Sequence, residues 1–271
     1  MIVVTGATGN VGRELVRILA AAGEQVTAVS RKPAEVPDGV RHHQADLAEP
    51  EGLLPVLEGA EALFLLVAGE DPQGILDRAR AAGVGRVVLL STQGVGTRPE
   101  VYGHAAAFEA AVRRSGLEWT VLRSGGLNSN AFAWAESIRT GRTAAAPFGD
   151  VGLPTVDPAD VAEVAAAALR EPGHTGRTYE LTGPALTTPR ERAEEIGAAL
   201  GESVRFVEQT REEAAAQMLA FMPEPVVEGT LAILGAPLPA ELVPSPAVER
   251  ILGRPARPFA DWAARSAPAF R

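Results

Sequence analysis

Thr5-Gly6-Ala7-Thr8-Gly9-Asn10-Val11-Gly12 is the stretch that decides the fold. It follows a short apolar run, Ile2 to Thr5, and opens a segment in which Val11, Leu15, Ile18, Leu19 and Ala22 recur on one helical face until Gly23 ends it. A second apolar run, Gln25 to Ser30, comes next. A Gly-rich turn between a strand and a helix is a cradle for a pyrophosphate: one glycine permits the tight turn, a second lets the backbone approach the anion, and Gly12 lets the helix pack closely on the strand. Free N–H groups at the helix start point at the anion, and the helix dipole favours it. The spacing is GxxGxxG rather than GxGxxG, and it is the flanking strand, helix and strand that separate this turn from an ordinary one.

Outward from the turn, the first half of the chain keeps alternating. Val40 to Ala45 reads as a short third strand, Ala62 to Val67 and Arg86 to Thr92 as strands buried on both faces, and Trp119 to Arg123 as a sixth, with helices near Asp71 to Ala82 and Val101 to Arg114. This alternation predicts an α/β fold, a doubly wound parallel sheet of the Rossmann type with right-handed crossovers. Past Gly125 the pattern loosens. Helices are expected near Ala131 to Thr140, Pro158 to Arg170 and Pro189 to Leu200, and strands at Tyr179 to Thr182 and Val204 to Val207. The last part is helical and broken by Pro223, Pro225, Pro237, Pro239, Pro244, Pro246, Pro255 and Pro258. We read residues 1–150 as the nucleotide-binding domain and residues 151–271 as a smaller, mostly helical substrate lobe on the sheet's carboxyl edge, the two forming one compact unit.

Composition narrows the partners. A net charge of −9 argues against nucleic acid and against an anionic membrane surface. The absence of cysteine excludes disulfides, thiolate nucleophiles and Cys-ligated metals. His42 and His43 adjoin in a strand and point to opposite faces, so no metal site is expected there, and His174 sits in a Gly-rich turn as a structural residue. The N-terminus has no signal-peptide pattern and no apolar run is long enough to span a bilayer, so the expectation is a cytoplasmic protein, monomer or homodimer, acting on a small molecule.

NAD-specific sites place Asp or Glu at the end of the second strand, where it accepts from the ribose 2′-OH. Here Ser30 is followed by Arg31 and Lys32, two cations able to pair with a 2′-phosphate, which points to NADP(H); the alternative is a solvated basic pair. Asp46-Leu47, after the third strand, is either an adenine contact or a helix N-cap.

TGATGNVG (5–12), VSRKP (29–33), SGLEWTVLRSGGLNSN (115–130) and GHTGRTYELTGP (173–184), with GRPARPFADWAA near the end, together resemble the NmrA-like group of atypical short-chain dehydrogenases/reductases. The group includes quinone reductases, natural-product reductases and NADP(H)-binding redox sensors, so the resemblance implies fold and cofactor more narrowly than reaction. It implies that Gly6, Thr8, Gly9, Asn10 and Val11 contact the pyrophosphate, and that Arg31 and Lys32 contact the 2′-phosphate. Val67, Ala68 and Gly69 would pass beside the ribose and nicotinamide, Ser91 and Thr92 would face the nicotinamide, and Leu127, Asn128 and Asn130 would line the substrate side.

The wider superfamily pairs a Tyr with a Lys one helical turn later. Tyr102 is followed at that position by Ala106, which can neither hold a ribose nor tune a phenol. Tyr102 is thus a candidate proton donor or a partly exposed tyrosine at a helix start. His104, near a catalytic Lys of isoflavone-reductase-like enzymes, is a candidate proton relay or a surface residue flanking the helix. Phe132 and Trp134 would wall a flat aromatic substrate or pack in the core. Asp157 reads as the N-cap of a helix with Pro158 at its first position, and Glu191, Glu194 and Glu195 as a solvated helix face. The function expected is an NADPH-dependent oxidoreductase that transfers hydride to a quinone, carbonyl or enone of a small, aromatic molecule. The alternative is a non-catalytic NADP(H)-binding sensor.

Overall fold

The computed structural model describes residues 1–271. The first half contains β1 (Ile2–Thr5), α1 (Asn10–Ala21), β2 (Val26–Ser30), β3 (Arg41–Gln44), α2 (Leu54–Leu57), β4 (Ala62–Leu66), α3 (Pro72–Ala81), β5 (Arg86–Thr92), α4 (Gly94–Thr97), α5 (Gly103–Arg114) and β6 (Glu118–Ser124). Then come α6 (Ala135–Gly141), β7 (Thr143–Ala146), α7 (Pro158–Arg170), β8 (Arg177–Leu181), α8 (Pro189–Leu200) and β9 (Arg205–Glu208). The chain ends in α9 (Arg211–Met218), α10 (Glu224–Gly235), α11 (Ala247–Leu252) and α12 (Phe259–Ser266). No helix is long and apolar enough to cross a membrane.

Seven strands form one parallel sheet in the order β3-β2-β1-β4-β5-β6-β8. Its central strands are apolar throughout because both faces are covered. Val4, Ala28, Phe64, Val88 and Leu122 face α1 and α7, while Val3, Val29, Leu63, Leu65, Leu89 and Val121 face α3 and α5. The direction of winding reverses between β1 and β4, and a crevice at such a switch point, outside the carboxyl ends of the strands, is where ligands bind in open α/β sheets. Thr5 ties the two strands there: its hydroxyl donates to Phe64 O at 2.9 Å and accepts from Leu66 N at 3.1 Å.

Two expectations are corrected. The boundary at residue 150 falls inside the sheet domain, since α7 packs along α1 and β8 is the sheet's seventh strand. The helix expected over Ala131 to Thr140 is a 3-10 turn, Asn128–Trp134, that continues into α6. The strand expected at Val204 to Val207 is present as β9, and it pairs with β7, a Thr-Ala-Ala-Ala run with no strand signature of its own.

The C-terminal segment is held by charge. Asp157 caps α7, accepting from Ala159 N at 2.9 Å, and also pairs with Arg265. Asp160, completely buried, accepts from Arg254 Nη2 at 2.8 Å, from the backbone N–H of Arg257 at 2.7 Å and from the Arg257 guanidinium. Glu163, one turn on, accepts from the same two arginines. Removing one partner of a buried pair leaves the other charge desolvated and unpaired. Asp160→Ala should therefore cost about 3 kcal/mol and lower Tm by about 8 °C; thermal unfolding within a degree of wild type would show that the C-terminal segment does not depend on this cluster.

Candidate active site

The Gly-rich turn is built by close contact. Gly6 has φ +62°, and a Cβ there would run into the Leu66 side chain; a Cβ on Gly12 would run into the carbonyl oxygen of Gly6. Helix α1 therefore starts directly against β1. Around the turn, Ala7 N donates to Val29 O and Gly9 N to Gly6 O, while no backbone bond uses the N–H groups of Asn10, Val11 or Gly12. Such a set of free amides at a helix start, over a floor with no Cβ, fits a pyrophosphate. The side chain of Val11 is buried in the core, so only its backbone could reach the anion.

The other residues expected to meet the nucleotide lie along the same edge of the sheet. Arg31 and Lys32 are exposed at the end of β2, and Ser30, buried beneath them, has its hydroxyl 2.8 Å from His42 Nε2 and donates to Lys32 O. Asp46 makes a tight turn, accepting from Ala48 N at 3.0 Å; the next helical turn starts at Pro50, so Asp46 is not its N-cap. Leu47 is buried, and its carbonyl closes against Gly69, which brings the Asp46-Leu47 and Val67-Ala68-Gly69 loops together.

Beyond them, a cavity of about 350 Å³ lies at the ends of β5 and β6. Ser91, Thr92, Gln93, Tyr102, Leu127 and Asn130 line it, with Thr230, Ile233 and Leu234 of α10 and the carboxylate of Glu241 also in its wall. Asn128 is completely buried and does not line it. Phe132 and Trp134 are in the lobe's core: the Phe132 ring lies 5.0 Å from Trp262 and 5.8 Å from Phe270, and the Trp134 indole donates to Ala145 O. Tyr102 does line the cavity. Its ring lies against Gly94, with Thr230 of α10 in the same wall. Burial raises its pKa. His104 is outside the cavity, exposed, with Nδ1 3.9 Å from Glu70.

Two buried ion pairs flank the cavity, and nothing in the local sequence marks them. Glu109 is fully buried in α5; it accepts from Ser91 Oγ at 2.8 Å, from Arg123 Nε and Nη2 at 2.9 Å each, and from Arg113 at 2.7 Å. The Ser91 hydroxyl is thereby directed to the carboxylate. Burial pushes the Glu109 carboxyl up, but the bonds from Arg123, Ser91 and Arg113 outweigh it and hold the carboxyl below its usual range. Arg98 pairs with Glu241 in the same bidentate manner, Nε to Oε1 at 2.8 Å and Nη2 to Oε2 at 2.9 Å. On α8, Glu191 closes a capping box with Thr188, whereas Glu195 has a buried, unpartnered Oε2 and so departs from the solvated face expected.

A carboxyl whose pKa is depressed in the folded state stabilises the fold above its unfolded pKa, and that stabilisation is lost as pH falls through the folded value. Glu109→Gln should lower Tm at pH 7 by the equivalent of about 3 kcal/mol, and its deficit should shrink as the pH is taken below 4, roughly the unfolded value. Unfolding curves at several pH values test this; a deficit that stayed constant with pH would mean that the Glu109 charge does not stabilise the fold.

A family described as NAD(P)H-binding matches residues 6–172. A (4-alkanoyl-5-oxo-2,5-dihydrofuran-3-yl)methyl phosphate reductase of Streptomyces griseus is 38% identical over 285 aligned positions, covering 100% of this chain and 99% of the relative. An NAD(P)H azoreductase of Xenophilus azovorans is 31% identical with the same coverage. Among solved structures, an NADPH-dependent quinone oxidoreductase of Escherichia coli, complexed with NADPH, superposes with a TM-score of 0.79 at 26% identity, covering 98% of this chain and 99% of that one. The seven-stranded sheet, the Gly-rich turn at its switch point and full-length similarity to reductases agree: this chain belongs to the NAD(P)H-binding family, as one of its atypical short-chain reductases.

Proposed function

We propose that the protein reduces a quinone, carbonyl or enone group of a small, aromatic molecule with NADPH. The observation that carries this reading is the cavity at the ends of β5 and β6, on the same sheet edge as the Gly-rich turn and large enough for a small ring system. Full-length similarity to reductases of several different acceptors supports the reaction type. NADPH, when bound, supplies hydride from C4 of its nicotinamide. The free amides of Asn10, Val11 and Gly12 hold the pyrophosphate, Arg31 and Lys32 take the 2′-phosphate, and the loops at Asp46-Leu47 and Val67-Ala68-Gly69 flank the nucleoside ends. Thr92 borders the nicotinamide, while Leu127 and Asn130 bound the acceptor.

Tyr102 keeps its proton at neutral pH, because burial raises its pKa and Ala106 offers no ammonium to lower it. Its ring packs against Gly94, and it serves as part of the cavity wall. Quinone reduction tolerates this, since the reduced oxygen is a weak base that water can protonate. The same lack of a Tyr-Lys pair is what favours the second reading, a redox sensor that binds NADP(H) without turnover.

Loss of the reduced-nicotinamide absorbance, measured over a panel of quinones, aromatic ketones and enones, tests the proposal. Protein-dependent oxidation with any member supports a reductase, whereas tight NADPH binding with no oxidation across the panel supports the sensor. Arg31→Glu should weaken NADPH binding roughly 10- to 100-fold, the scale of losing a charge-assisted hydrogen bond, and leave NADH binding nearly unchanged; equal affinities of wild type for both nucleotides would refute the 2′-phosphate assignment. Tyr102→Phe combined with His104→Ala should keep turnover within about 10-fold of wild type, below the factor general acids supply. A larger fall in kcat would make one of these side chains the proton donor.

A further inference from the structure

Most of the buried polar side chains around the cavity are engaged. Ser91 Oγ donates to Glu109, Ser124 Oγ to Gly125 O, and Thr92 Oγ1 accepts from Gly94 N. Glu241 is taken up by Arg98. Gln93 differs. Its backbone N–H donates to Ser124 O, which locks the residue between the ends of β5 and β6; the residue is 9% exposed and lines the cavity. Yet its Nε2 is buried with no hydrogen-bond partner. Gly125 leaves room beside the amide, whose Oε1 lies 3.6 Å from where a Cβ at that residue would stand. Rotation about the last torsion of a glutamine is inexpensive, so the N–H can be presented to a group in the cavity.

A buried donor without an acceptor destabilises a fold, and a native protein that keeps one calls for an explanation. We propose that the missing acceptor is the substrate's oxygen: Gln93 Nε2–H donates to the oxygen that gains negative charge as the acceptor is reduced. The inference rests on the reductase reading above and adds to it the residue that takes over the electrostatic part of the absent Tyr-Lys pair. The quinone takes up the hydride, and with it two electrons, and NADPH is left as NADP⁺. Negative charge collects on the quinone oxygen that the amide faces. An amide cannot surrender its proton at neutral pH, so water protonates that oxygen and the hydroquinone leaves. A donor held in the cavity wall that meets the oxygen as it becomes charged acts on the transition state more than on the bound ground state.

The test compares wild type with Gln93→Met, close in shape and without a donor, and with Gln93→Leu as a second variant should the first fold poorly. Both are assayed on a series of substituted naphthoquinones whose hydroquinones differ in acidity. In the variants kcat should fall about 100-fold with KM and the NADPH dissociation constant little changed, and the loss should grow as the hydroquinone becomes less acidic. Since an unsatisfied buried donor has been removed, Tm should rise by about 2–4 °C. Activity lost while stability is gained separates a role in substrate recognition from a structural one, which would lower both. An unchanged kcat, or a loss equal for every quinone and accompanied by a lower Tm, would overturn the proposal. A wild-type protein that reduces no quinone would instead defeat the reductase reading, whereas a Tm for Gln93→Met at or below wild type would count against the amide being held unpaired.

Discussion

The structure depends on how closely helix α1 approaches strand β1. A side chain at position 12 would collide with the carbonyl of Gly6, and one at position 6 with Leu66. Without those side chains the helix starts against the strand, and its first N–H groups open toward the crevice where the sheet reverses its winding. Thr5 secures the floor of the crevice by bonding across to β4. Other packing follows from the same approach. Helix α7 lies along α1, and its acidic first turns, Asp157, Asp160 and Glu163, take the arginines of the C-terminal segment. The tight turn thus both leaves free amides at the crevice and sets the position of the helix onto which the far end of the chain is clamped.

Charge is handled in a second, consistent way around the cavity. Glu109 with Arg123 and Glu241 with Arg98 are bidentate pairs whose carboxylates are buried. In each, burial would raise the carboxyl pKa, and hydrogen bonds from the arginine reverse the direction. Such pairs are no cheaper than apolar packing of the same shape, but they orient polar neighbours sharply. Glu109 draws the Ser91 hydroxyl toward itself, and Glu241 closes onto the backbone N–H of Leu238 as well as Arg98. The cavity between them is lined mainly by apolar surface and a few polar groups, and the carboxylate in its wall is paired.

The sheet was legible because its strands carry local marks. Buried on both faces, β4 and β5 are unbroken apolar runs, and Gly23, Gly83 and Gly116 stop the helices that precede β2, β5 and β6. The cap at Asp157 and Pro158 was legible for the same reason, since capping is a matter of adjacent residues. The placement of β8 in the main sheet and the pairing of β7 with β9 were not legible. Thr143-Ala144-Ala145-Ala146 becomes a strand only because Arg205–Glu208 lies beside it, and no window of sequence contains both. Phe132 and Trp134 show the same limit: an aromatic pair near a site reads equally well as wall or core until Trp262 and Phe270 are seen packed on it.

By itself the sequence determined the Gly-rich turn, the order of strands and helices in the first half, the basic pair after β2 and the absence of a Tyr-Lys pair, because each is a relation among residues a few positions apart. Tertiary structure alone decided that Glu109 meets Arg123, that Glu241 meets Arg98, that α10 closes the cavity, and that Gln93 is left with an unpaired amide. Those are relations between distant segments, and whether a polar group is paired is known only when every neighbour that packing brings to it has been counted.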